Sequence, residues 1–518
     1  MGQAGGAPAV RGRRIVMQLP EKDIVWRSHW LRQALPEDPN LAPPLEEATQ
    51  ADICIVGGGY LGLWTAIRLK EHNPDFDIVI IERDICGGGP SGRNSGMVLS
   101  AWTKYSALDI CGGGPSGRNS GMVLSAWTKY SALAALRDGN DALSIIKASE
   151  AAIGGIEAFC KAEGIDSWFD RIGWIWGATC EAQLGAWDDA LNKLAAHGYV
   201  PARRVSREEI AAMAGTTSHF GGAFDASSAT VHPGYLVRGL RRAALKRGVR
   251  IYEKSPMTRF SRGGKLKVET ARGTVSCGKI VLAMNAWSGA IPELAPAIFN
   301  ISSDDAMSKR IPDLLDKVGY RRAPLMIDSR VFVGGWSPTR DGRLSVGVSG
   351  GVIGLGGIVD QRFHGQSPRV ADMRRVLRDG HPALAGFPLD TSWNGPIDRT
   401  VSGVPLFGAL PSNRDIIYGY GFSGNGTTMA YLGGKILTTL LTAGESELTH
   451  SALVRPVTRG FPPEPFRFVG AHFVRGAVRR RDDLEHAGRK PDLLTRWLAG
   501  LAPSGVTPSK ANLRARKG

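Results

Sequence analysis

The chain is poor in features that would mark several special classes of protein. Its six cysteines are scattered over 518 residues and form no CxxC pair, which argues against a disulfide scaffold and favours a reduced, cytoplasmic setting. No segment approaches the ~18 consecutive apolar residues of a membrane span. Hydrophobic residues still make up 43% of the chain, which is too many for intrinsic disorder. We therefore expect a large globular core, and the length fits two domains.

Acidic residues are also scarce relative to basic ones, with 48 Asp and Glu against 64 Lys and Arg. The excess is concentrated in 454–518, which holds 14 basic and 5 acidic residues. Such a segment could contact nucleic acid or an anionic membrane, but no nucleic-acid-binding motif accompanies it. We interpret it as a solvated basic extension, and we expect neither a nucleic-acid partner nor a metal ion.

Glycine, in contrast, is abundant, and part of the excess comes from a repeated block. There are 67 glycines, nearly twice the usual share of ~7%. Residues 84–108 read DICGGGPSGRNSGMVLSAWTKYSAL, and residues 109–133 repeat them without a single difference. Two copies cannot form a solenoid, and structural repeats normally diverge in sequence. The exact identity therefore indicates either a very recent tandem duplication or an error in the gene record, and one 25-residue stretch is expected to loop out.

The clearest motif lies upstream of this block. The apolar segment 51–56 is followed by GGGYLG, which places the glycines of a GxGxxG motif at Gly57, Gly59 and Gly62. In a dinucleotide-binding fold the first glycine makes a tight turn, and the second admits the pyrophosphate. The third lets helix and strand pack closely, so that the helix N-terminus faces the anion.

The residues that follow have the context this motif requires. Residues 63–72 show helical spacing of apolar side chains, and 78–81 form a second apolar segment that ends at Glu82. Glu82 lies 20 positions beyond Gly62, where a carboxylate can hold the ribose hydroxyls of an adenosine. Strand, glycine motif, helix, strand and acid in this order predict a nucleotide-binding domain.

A second glycine-rich loop at 87–96, GGGPSGRNSG, offers hydroxyl, guanidinium, amide and backbone N–H donors. With the first motif it makes the chain resemble the D-amino-acid-oxidase (DAO) superfamily of FAD-dependent oxidoreductases, specifically its gamma-glutamylputrescine-oxidase-like branch. A GGGYxGLWTAxRLK helix and a CGxGxSGRNxG loop occur together in that branch. The resemblance covers about 25–505, and its further matches are Trp26, Trp30, 230–240, 249–253, 281–287, 403–408, 418–426 and 461–467.

The resemblance implies FAD as cofactor and a set of residues that contact it. In relatives the loop corresponding to 418–426 packs over the flavin ring, and the N-terminus of the following helix, here 427–441, faces the pyrimidine oxygen; this placement favours the anionic reduced flavin. The first copy of the repeat is the expected FAD contact, because its spacing from Glu82 matches the family. The implied cofactor-binding residues are Gly57, Gly59, Tyr60, Leu61, Gly62, Glu82, Arg83, Ser91, Gly92, Arg93, Asn94, Gly96, Ala283, Asn285, Gly421, Ser423, Gly424, Asn425, Gly426 and Thr427.

The expected fold class is α/β, with a Rossmann-like FAD-binding domain of the DAO or glutathione-reductase type and an inserted α+β substrate domain with a mixed sheet. Within these domains we expect a helix over 141–162, a short meander between 257 and 275, and strands near 331–335 and 343–348. The expected segments are a partly disordered lead at 1–44, an FAD-binding domain at 45–140, 228–290 and 395–450, a substrate domain at 141–227 and 291–394, and a basic extension at 451–518.

The implied reaction is oxidation of a C–N bond in an amine or amino acid. Hydride passes to flavin N5, the imine hydrolyses in water, and O2 reoxidises the flavin to give H2O2. Such chemistry needs orientation and exclusion of water more than a catalytic triad. Three alternatives remain open: a dehydrogenase that uses a quinone or carrier, an RNA-modifying flavoprotein, and an inactive paralogue whose flavin site the duplication has damaged.

Candidates for direct catalytic roles are His232, Trp336 and Tyr420, although a structural role is the more common one for each such residue. Two departures from the family leave the substrate class open. The arginine that could pair with a substrate carboxylate is missing from its usual context, with Arg340 as a speculative substitute. Asn425 stands where many relatives have histidine.

Overall fold

The computed structural model describes residues 26–89, 91, 126–424, 426–458 and 460–501. Within these residues the chain forms two eight-stranded sheets with helices packed against them. In chain order the strands are β1 (Ala48–Val56), β2 (Ile78–Ile81), β3 (Trp174–Ala178), β4 (Arg203–Val205), β5 (Gly221–Asp225), β6 (Arg250–Tyr252), β7 (Arg259–Phe260), β8 (Leu266–Glu269), β9 (Thr274–Leu282), β10 (Ile298–Ser308), β11 (Leu325–Asp328), β12 (Gly334–Pro338), β13 (Leu344–Val348), β14 (Leu389–Thr400), β15 (Leu406–Leu410) and β16 (Asn413–Tyr420).

The helices join the strands and cover the faces of the sheets. Most carry apolar residues on the side that packs inward, as expected for amphipathic helices. They are α1 (His29–Ala34), α2 (Tyr60–His72), α3 (Tyr130–Ala134), α4 (Gly139–Ala162), α5 (Asp188–Ala195), α6 (Arg207–Ala214), α7 (Pro233–Lys246), α8 (Pro312–Lys317), α9 (Val370–Gly380), α10 (Gly426–Leu441), α11 (Phe466–His486) and α12 (Leu493–Gly500).

The first sheet has the parallel centre of a nucleotide-binding fold. Its strands run in the order β15, β16, β9, β1, β2, β6, and the β7–β8 hairpin pairs with β9 through β8. β1 pairs in parallel with both β2 and β9. The inner part of β1 and all of β2 are buried, as expected for strands covered on both faces. α2 and α10 pack closely, since a Cβ on Gly434 would lie 2.8 Å from Cβ of Trp64.

The second sheet is mixed and mostly antiparallel. Its order is β14, β10, β13, β12, β11, β3, β5, β4, with β3 and β11 paired in parallel. The fold class predicted from the sequence is therefore confirmed. The strands of the first sheet fall within the segments expected for the FAD-binding domain. Those of the second fall within the substrate-domain segments, except that β14 runs on to Thr400. The division into domains stays a prediction.

One predicted strand is displaced. The sequence predicts a strand over 331–335, but β12 covers Gly334–Pro338. The reason is a long-range contact, because the backbone N–H groups of Val331 and Phe332 donate to the carboxylate of Asp482 at 3.3 and 3.2 Å. These two amides are therefore not available to the sheet.

The carboxyl-terminal extension contains two helices that the sequence analysis did not predict. α11 and α12 pack together and bury Val474, Val478 and Ala499 in a cluster with Phe299 of β10. The spacing of Val474 and Val478 is the local sign of a helix with one buried side. The extension is therefore folded at least as far as 501, rather than only wrapping the surface.

The two copies of the repeat contribute different parts to the described fold. The first copy is described at 84–89 and 91, and the second at 126–133. These correspond to the first eight and the last eight positions of the repeated block, apart from Pro90. The end of the second copy leads into α4 through a 3₁₀ turn at Ala126–Lys129 and through α3.

Candidate functional site

The turn between β1 and α2 can be made only by glycine at two of its positions. Gly57 has φ +114°, and a Cβ there would lie 2.5 Å from the carbonyl oxygen of Ala283. A Cβ on Gly62 would lie 2.0 Å from the carbonyl oxygen of Gly57. The first glycine therefore makes the turn and the third brings the helix onto the strand, as the motif predicts. In the first turn of α2 the N–H of Tyr60 donates to Oγ of Ser91 at 2.9 Å, so Ser91 of the first copy lies against the N-terminus of the helix.

Glu82 lies directly after β2 and is buried. Its carboxylate accepts hydrogen bonds from the N–H of Gly58 at 2.8 Å and of Asp84 at 3.0 Å. Burial raises the pKa of Glu82 from 4.5 to about 7, although the two backbone N–H groups favour the charged form. The carboxyl group is thus fixed beside the glycine turn.

A cavity at the carboxyl ends of β1, β2 and β9 brings many of the predicted residues together. This edge is where open α/β sheets bind their ligands. Predicted residues in its lining are Gly57, Gly59, Tyr60, Leu61, Glu82, Arg83, Ser91, Ala283 and Asn285. Lining residues that the sequence analysis did not single out include Val56, Ile81, Asp84, Ser255, Met257, Met284, Trp287 and Phe422.

Gly62, where α2 packs onto the glycine turn, is not in the lining of the cavity. The other predicted cofactor residues stand in two groups. Gly421, Ser423, Gly424, Gly426 and Thr427 belong to the loop before α10 and to its first turn, and they are not in the lining of this cavity. Outside the described residues lie Gly92, Arg93, Asn94, Gly96 and Asn425.

Three polar atoms of the cavity residues have no partner among the described residues. They are Nη1 of Arg83, Oδ1 of Asn285 and Nε1 of Trp287. The Arg83 guanidinium carbon lies 4.7 Å from the centre of the Trp287 ring. Because buried polar groups in folded proteins are nearly always hydrogen-bonded, these atoms indicate a polar ligand in the cavity.

The loop at 421–424 is held against the second sheet by hydrogen bonds from residues that the sequence analysis did not identify. The carboxylate of Asp398 accepts from the N–H of Gly421, and Arg399 Nη1 donates to the carbonyl of Ser423 at 3.0 Å. Both side chains are fully buried at the end of β14. Burial raises the pKa of Asp398 to about 7. Their partners lie more than 20 residues further along the chain, so no local pattern could have identified them.

A network of buried charges holds the start of the first copy against the cavity. Glu253 accepts from the N–H of Cys86 at 2.6 Å and from Arg238 Nη1 at 3.1 Å. Asp84 forms ion pairs with Arg27 and Lys254, and the Arg27 side chain helps to lower the pKa of Asp84 against the effect of burial. These anchors come from parts of the chain that only the tertiary fold brings together.

The three catalytic candidates lie outside the lining of this cavity. His232 caps α7, where Nδ1 accepts from the N–H of Tyr235 at 3.0 Å, and burial lowers its pKa. Trp336 is buried in the core beside the second sheet. The Tyr420 hydroxyl donates to the carbonyl of Leu294 at 3.2 Å. Each residue has a structural role here, and a catalytic one stays a prediction.

Arg340 lies in a different cavity of about 420 Å³, whose lining also includes Trp168, Arg321 and Arg322. The two cavities share no lining residue. Arg340 forms an ion pair with Asp166 at 3.1 Å. The structure therefore does not bring it to the predicted flavin site.

The described ranges contain no group of three or more His, Cys, Asp or Glu side chains that could hold a metal ion. None of the helices described above is long and apolar enough to cross a membrane.

Comparison with known proteins gives the site a family context. Residues 52–440 match the family described as DAO, FAD dependent oxidoreductase. Gamma-glutamylputrescine oxidoreductase of Escherichia coli (strain K12) is 26% identical over 411 residues, which are 78% of this chain and 86% of the relative. The sarcosine oxidase subunit beta of Rhizobium meliloti (strain 1021) is 24% identical, covering 77% and 86%.

Solved structures show the same fold. Glycine oxidase from Geobacillus kaustophilus matches with a TM-score of 0.61 and 18% identity, covering 79% of this chain and all of the other. L-proline dehydrogenase from P. horikoshii gives a TM-score of 0.60 at 16% identity, covering 77% and 96%.

The residues present fit FAD, the cofactor of this family. Gly57 and Gly59 of the glycine turn line the cavity, where the motif places a pyrophosphate, and Glu82 lies where a carboxylate meets ribose. The unpartnered atoms of Arg83, Asn285 and Trp287 can bond to the polar groups of the cofactor. The resemblance and the cofactor expected from the sequence are thus confirmed, whereas the individual contacts stay predictions.

Proposed function

We propose that this chain, which belongs to the DAO family of FAD-dependent oxidoreductases, oxidises the C–N bond of a small amine or amino acid and passes the electrons to O2. When bound, FAD supplies the hydride acceptor at its N5 atom. A hydride leaves the carbon beside the neutral substrate nitrogen, a proton leaves the nitrogen, and the imine adds water to release a carbonyl compound and an amine or ammonia. O2 takes two electrons and two protons to become H2O2.

The observation that carries this proposal is the cavity at the glycine turn, with its fixed carboxyl group and three unpartnered polar atoms. Support for the substrate class comes from the relatives, whose names refer to gamma-glutamylputrescine, sarcosine and glycine. Catalytic acids and bases of the kind that hydrolytic enzymes use are not needed, because the cofactor performs the chemistry and the protein orients the substrate.

In this proposal different residues of the chain bind different parts of the cofactor. Glu82 accepts from ribose, and the positive N-terminal end of α2 faces the pyrophosphate. Asp398 and Arg399 hold the 421–424 loop in place. This loop and Phe422, which is 3% exposed, limit the access of water to the ring end of the cofactor. Substrate binds at the junction of the two sheets.

The visible absorption spectrum of the purified chain tests the proposal. We expect oxidised-flavin bands that bleach when a suitable amine is added without oxygen, and that return with H2O2 when air is admitted. Gamma-glutamylputrescine, sarcosine and glycine are the first amines to try. A chain that stays colourless after reconstitution with FAD would contradict the proposal.

The electron acceptor requires a separate comparison. The reduced chain is mixed with air-saturated buffer or with an artificial acceptor under nitrogen. Faster oxidation by O2 supports an oxidase, whereas a response to the artificial acceptor alone favours the dehydrogenase alternative. A cytoplasmic location is also part of the proposal, consistent with the five free, buried cysteines of the described chain.

A further inference from the structure

The carboxyl-terminal helices carry an unusual number of exposed apolar side chains. Among the described residues sixteen large hydrophobic side chains are exposed, and seven of them lie within 466–501. Their exposed fractions run from 49% to 77%. We call these seven the apolar patch; its members are Phe466, Val469, Phe473, Leu493, Leu494, Trp497 and Leu501. Exposed apolar residues in such a concentration usually mark an interaction surface.

The patch follows the helical repeat on both helices. On α11 its members are three and four residues apart, and on α12 they fall at spacings of one, three and four. Each set therefore occupies one side of its helix. The other side is used by the fold, since Val474, Val478 and Ala499 are buried in the core. The side of each helix that carries the patch residues is thus not covered by packing against the rest of the described residues.

The two helices form a fixed unit rather than two separate segments. The chain reverses through Gly488, which has φ +67°. Asp492 then caps α12 by accepting from the N–H of Thr495 at 2.8 Å, and it also accepts from Arg480 Nε at 3.3 Å. The Asp482 carboxylate joins the same unit to the segment before β12, because it accepts from the N–H groups of Val331 and Phe332. A partner that binds the patch therefore contacts a preformed surface.

The helical unit carries a net positive charge. Residues 466–501 contain eight Lys and Arg and four Asp and Glu. Its exposed basic residues are Arg479, Arg480, Arg489, Lys490 and Arg496, of which Arg479 and Arg480 form ion pairs with Asp372 and Asp492. An apolar surface bordered by basic side chains and carrying Trp, Phe and Leu is typical of segments that lie in the interface of an anionic membrane.

We propose that the α11–α12 unit docks the protein on the surface of a bilayer that contains anionic phospholipid. The apolar patch enters the headgroup region while the basic residues contact lipid phosphates, and neither helix crosses the bilayer. A second copy of the chain is a poorer occupant, because a two-fold interface would place this positive surface against itself. Nucleic acid is also poorer, because four of the seven patch side chains are leucine or valine, which provide no stacking surface for bases.

The test measures sedimentation of the full chain with vesicles. Vesicles of phosphatidylcholine alone are compared with vesicles that also contain phosphatidylglycerol, at low and at high salt. We expect binding only to the anionic vesicles and weaker binding at high salt. The double variant Phe473→Ser and Trp497→Ser is expected to bind about a hundredfold more weakly, since each large apolar side chain contributes roughly tenfold.

The matched control is the double variant Val200→Ser and Phe220→Ser, which removes two exposed apolar side chains far from the patch in sequence. It should bind as the parent does. The proposal is overturned if the parent does not bind anionic vesicles at low salt, or if the patch variant binds as well as the control. It is also overturned if size-exclusion chromatography shows a dimer that the patch variant abolishes, with no vesicle binding by the parent. None of these readouts depends on flavin or on enzymatic activity.

Discussion

Two stretches of identical sequence are held in this molecule by different kinds of contact. The start of the first copy, 84–91, is fixed by polar groups: Glu253 accepts from Cys86, and Arg27 and Lys254 pair with Asp84. The end of the second copy, 126–133, is fixed mainly by apolar packing. There Trp127 is fully buried beside Trp174 and Trp176 in the main core.

The difference shows that position in the chain, and not local sequence, selects which copy contributes each part. Asp84 follows β2 at once, so the first copy starts next to the glycine turn. Ala126–Lys129 precedes α3 and α4 directly, so the second copy ends against the helical layer. The two described parts together supply the first and last thirds of a single block. Variants at equivalent positions, 25 residues apart, therefore show which copy contributes each part.

The largest effect is expected for Trp127→Ala. The side chain is fully buried, and its Nε1 donates to Asp225 at 3.2 Å. Its loss leaves a cavity, so the free energy of unfolding should fall by about 3–5 kcal/mol. The matched variant Trp102→Ala alters the same position of the first copy. It should lower the free energy of unfolding by less than about 0.5 kcal/mol. Equal losses in urea unfolding would show that both tryptophans are used.

The next effect concerns the pH dependence of stability that the buried carboxyl group of Glu82 produces. Burial raises the pKa of Glu82 to about 7 in the folded state, so folding retains a proton there that the unfolded chain loses near pH 4.5. The stability that this group contributes is present below pH 4.5 and is lost as the pH rises to about 7. A shift of this size corresponds to on the order of 3 kcal/mol.

In the FAD-free chain, Glu82→Gln should therefore flatten the fall of unfolding free energy between pH 4.5 and 7. The exposed Glu46→Gln serves as the control and should leave the slope unchanged. Thermal unfolding at a series of pH values provides the measurement. A slope in Glu82→Gln that equals the parent slope would place the titrating group elsewhere.

A third prediction separates the copies at the cofactor site. Gly87 has φ +85°, and a Cβ there would lie 2.4 Å from Cγ1 of Val237. Gly87→Val should strain this turn by about 1–3 kcal/mol and weaken FAD binding by about ten- to a hundredfold. The same change at Gly112 should leave the affinity unaltered. Titration of the FAD-free proteins with FAD, followed by fluorescence, distinguishes the two sites.

The smallest effect is expected for Ser91→Ala. The Ser91 hydroxyl accepts from the N–H of Tyr60 at 2.9 Å, at the start of α2. Losing this bond should cost about 1 kcal/mol of stability, whereas Ser116→Ala at the equivalent position should cost nothing measurable. Chemical denaturation of both variants checks this. A loss in Ser116→Ala alone would assign the hydroxyl to the second copy.

The parts of the fold that the sequence predicted are those set by local chemistry. The bounds of β2 were predicted as observed, and α2 begins three residues earlier than expected. At the same turn, a side chain at Gly57 or Gly62 would collide with a backbone carbonyl oxygen. The helix predicted over 141–162 is α4, which ends at Ala162 just before Gly164 at φ +63°. Short-range sterics and helical spacing were sufficient in each case.

The parts that the sequence did not predict depend on contacts between distant residues. Asp482 displaces the start of β12 from about 150 positions away. Asp398 and Arg399 hold the 421–424 loop although nothing in their own strand marks them. His232 had the residue type of a catalytic base, but its ring is occupied in capping α7. Such roles become visible only when the tertiary fold brings the partners together.

Removal of residues 109–133 leaves one uninterrupted copy of the block and is the decisive experiment. If the start of the first copy and the end of the second together do the work of a single block, the 493-residue chain should purify with the same oxidised-flavin spectrum as the full chain, and the same amine should bleach it. A full chain that binds FAD beside a shortened chain that does not would contradict this account, since both copies would then be required.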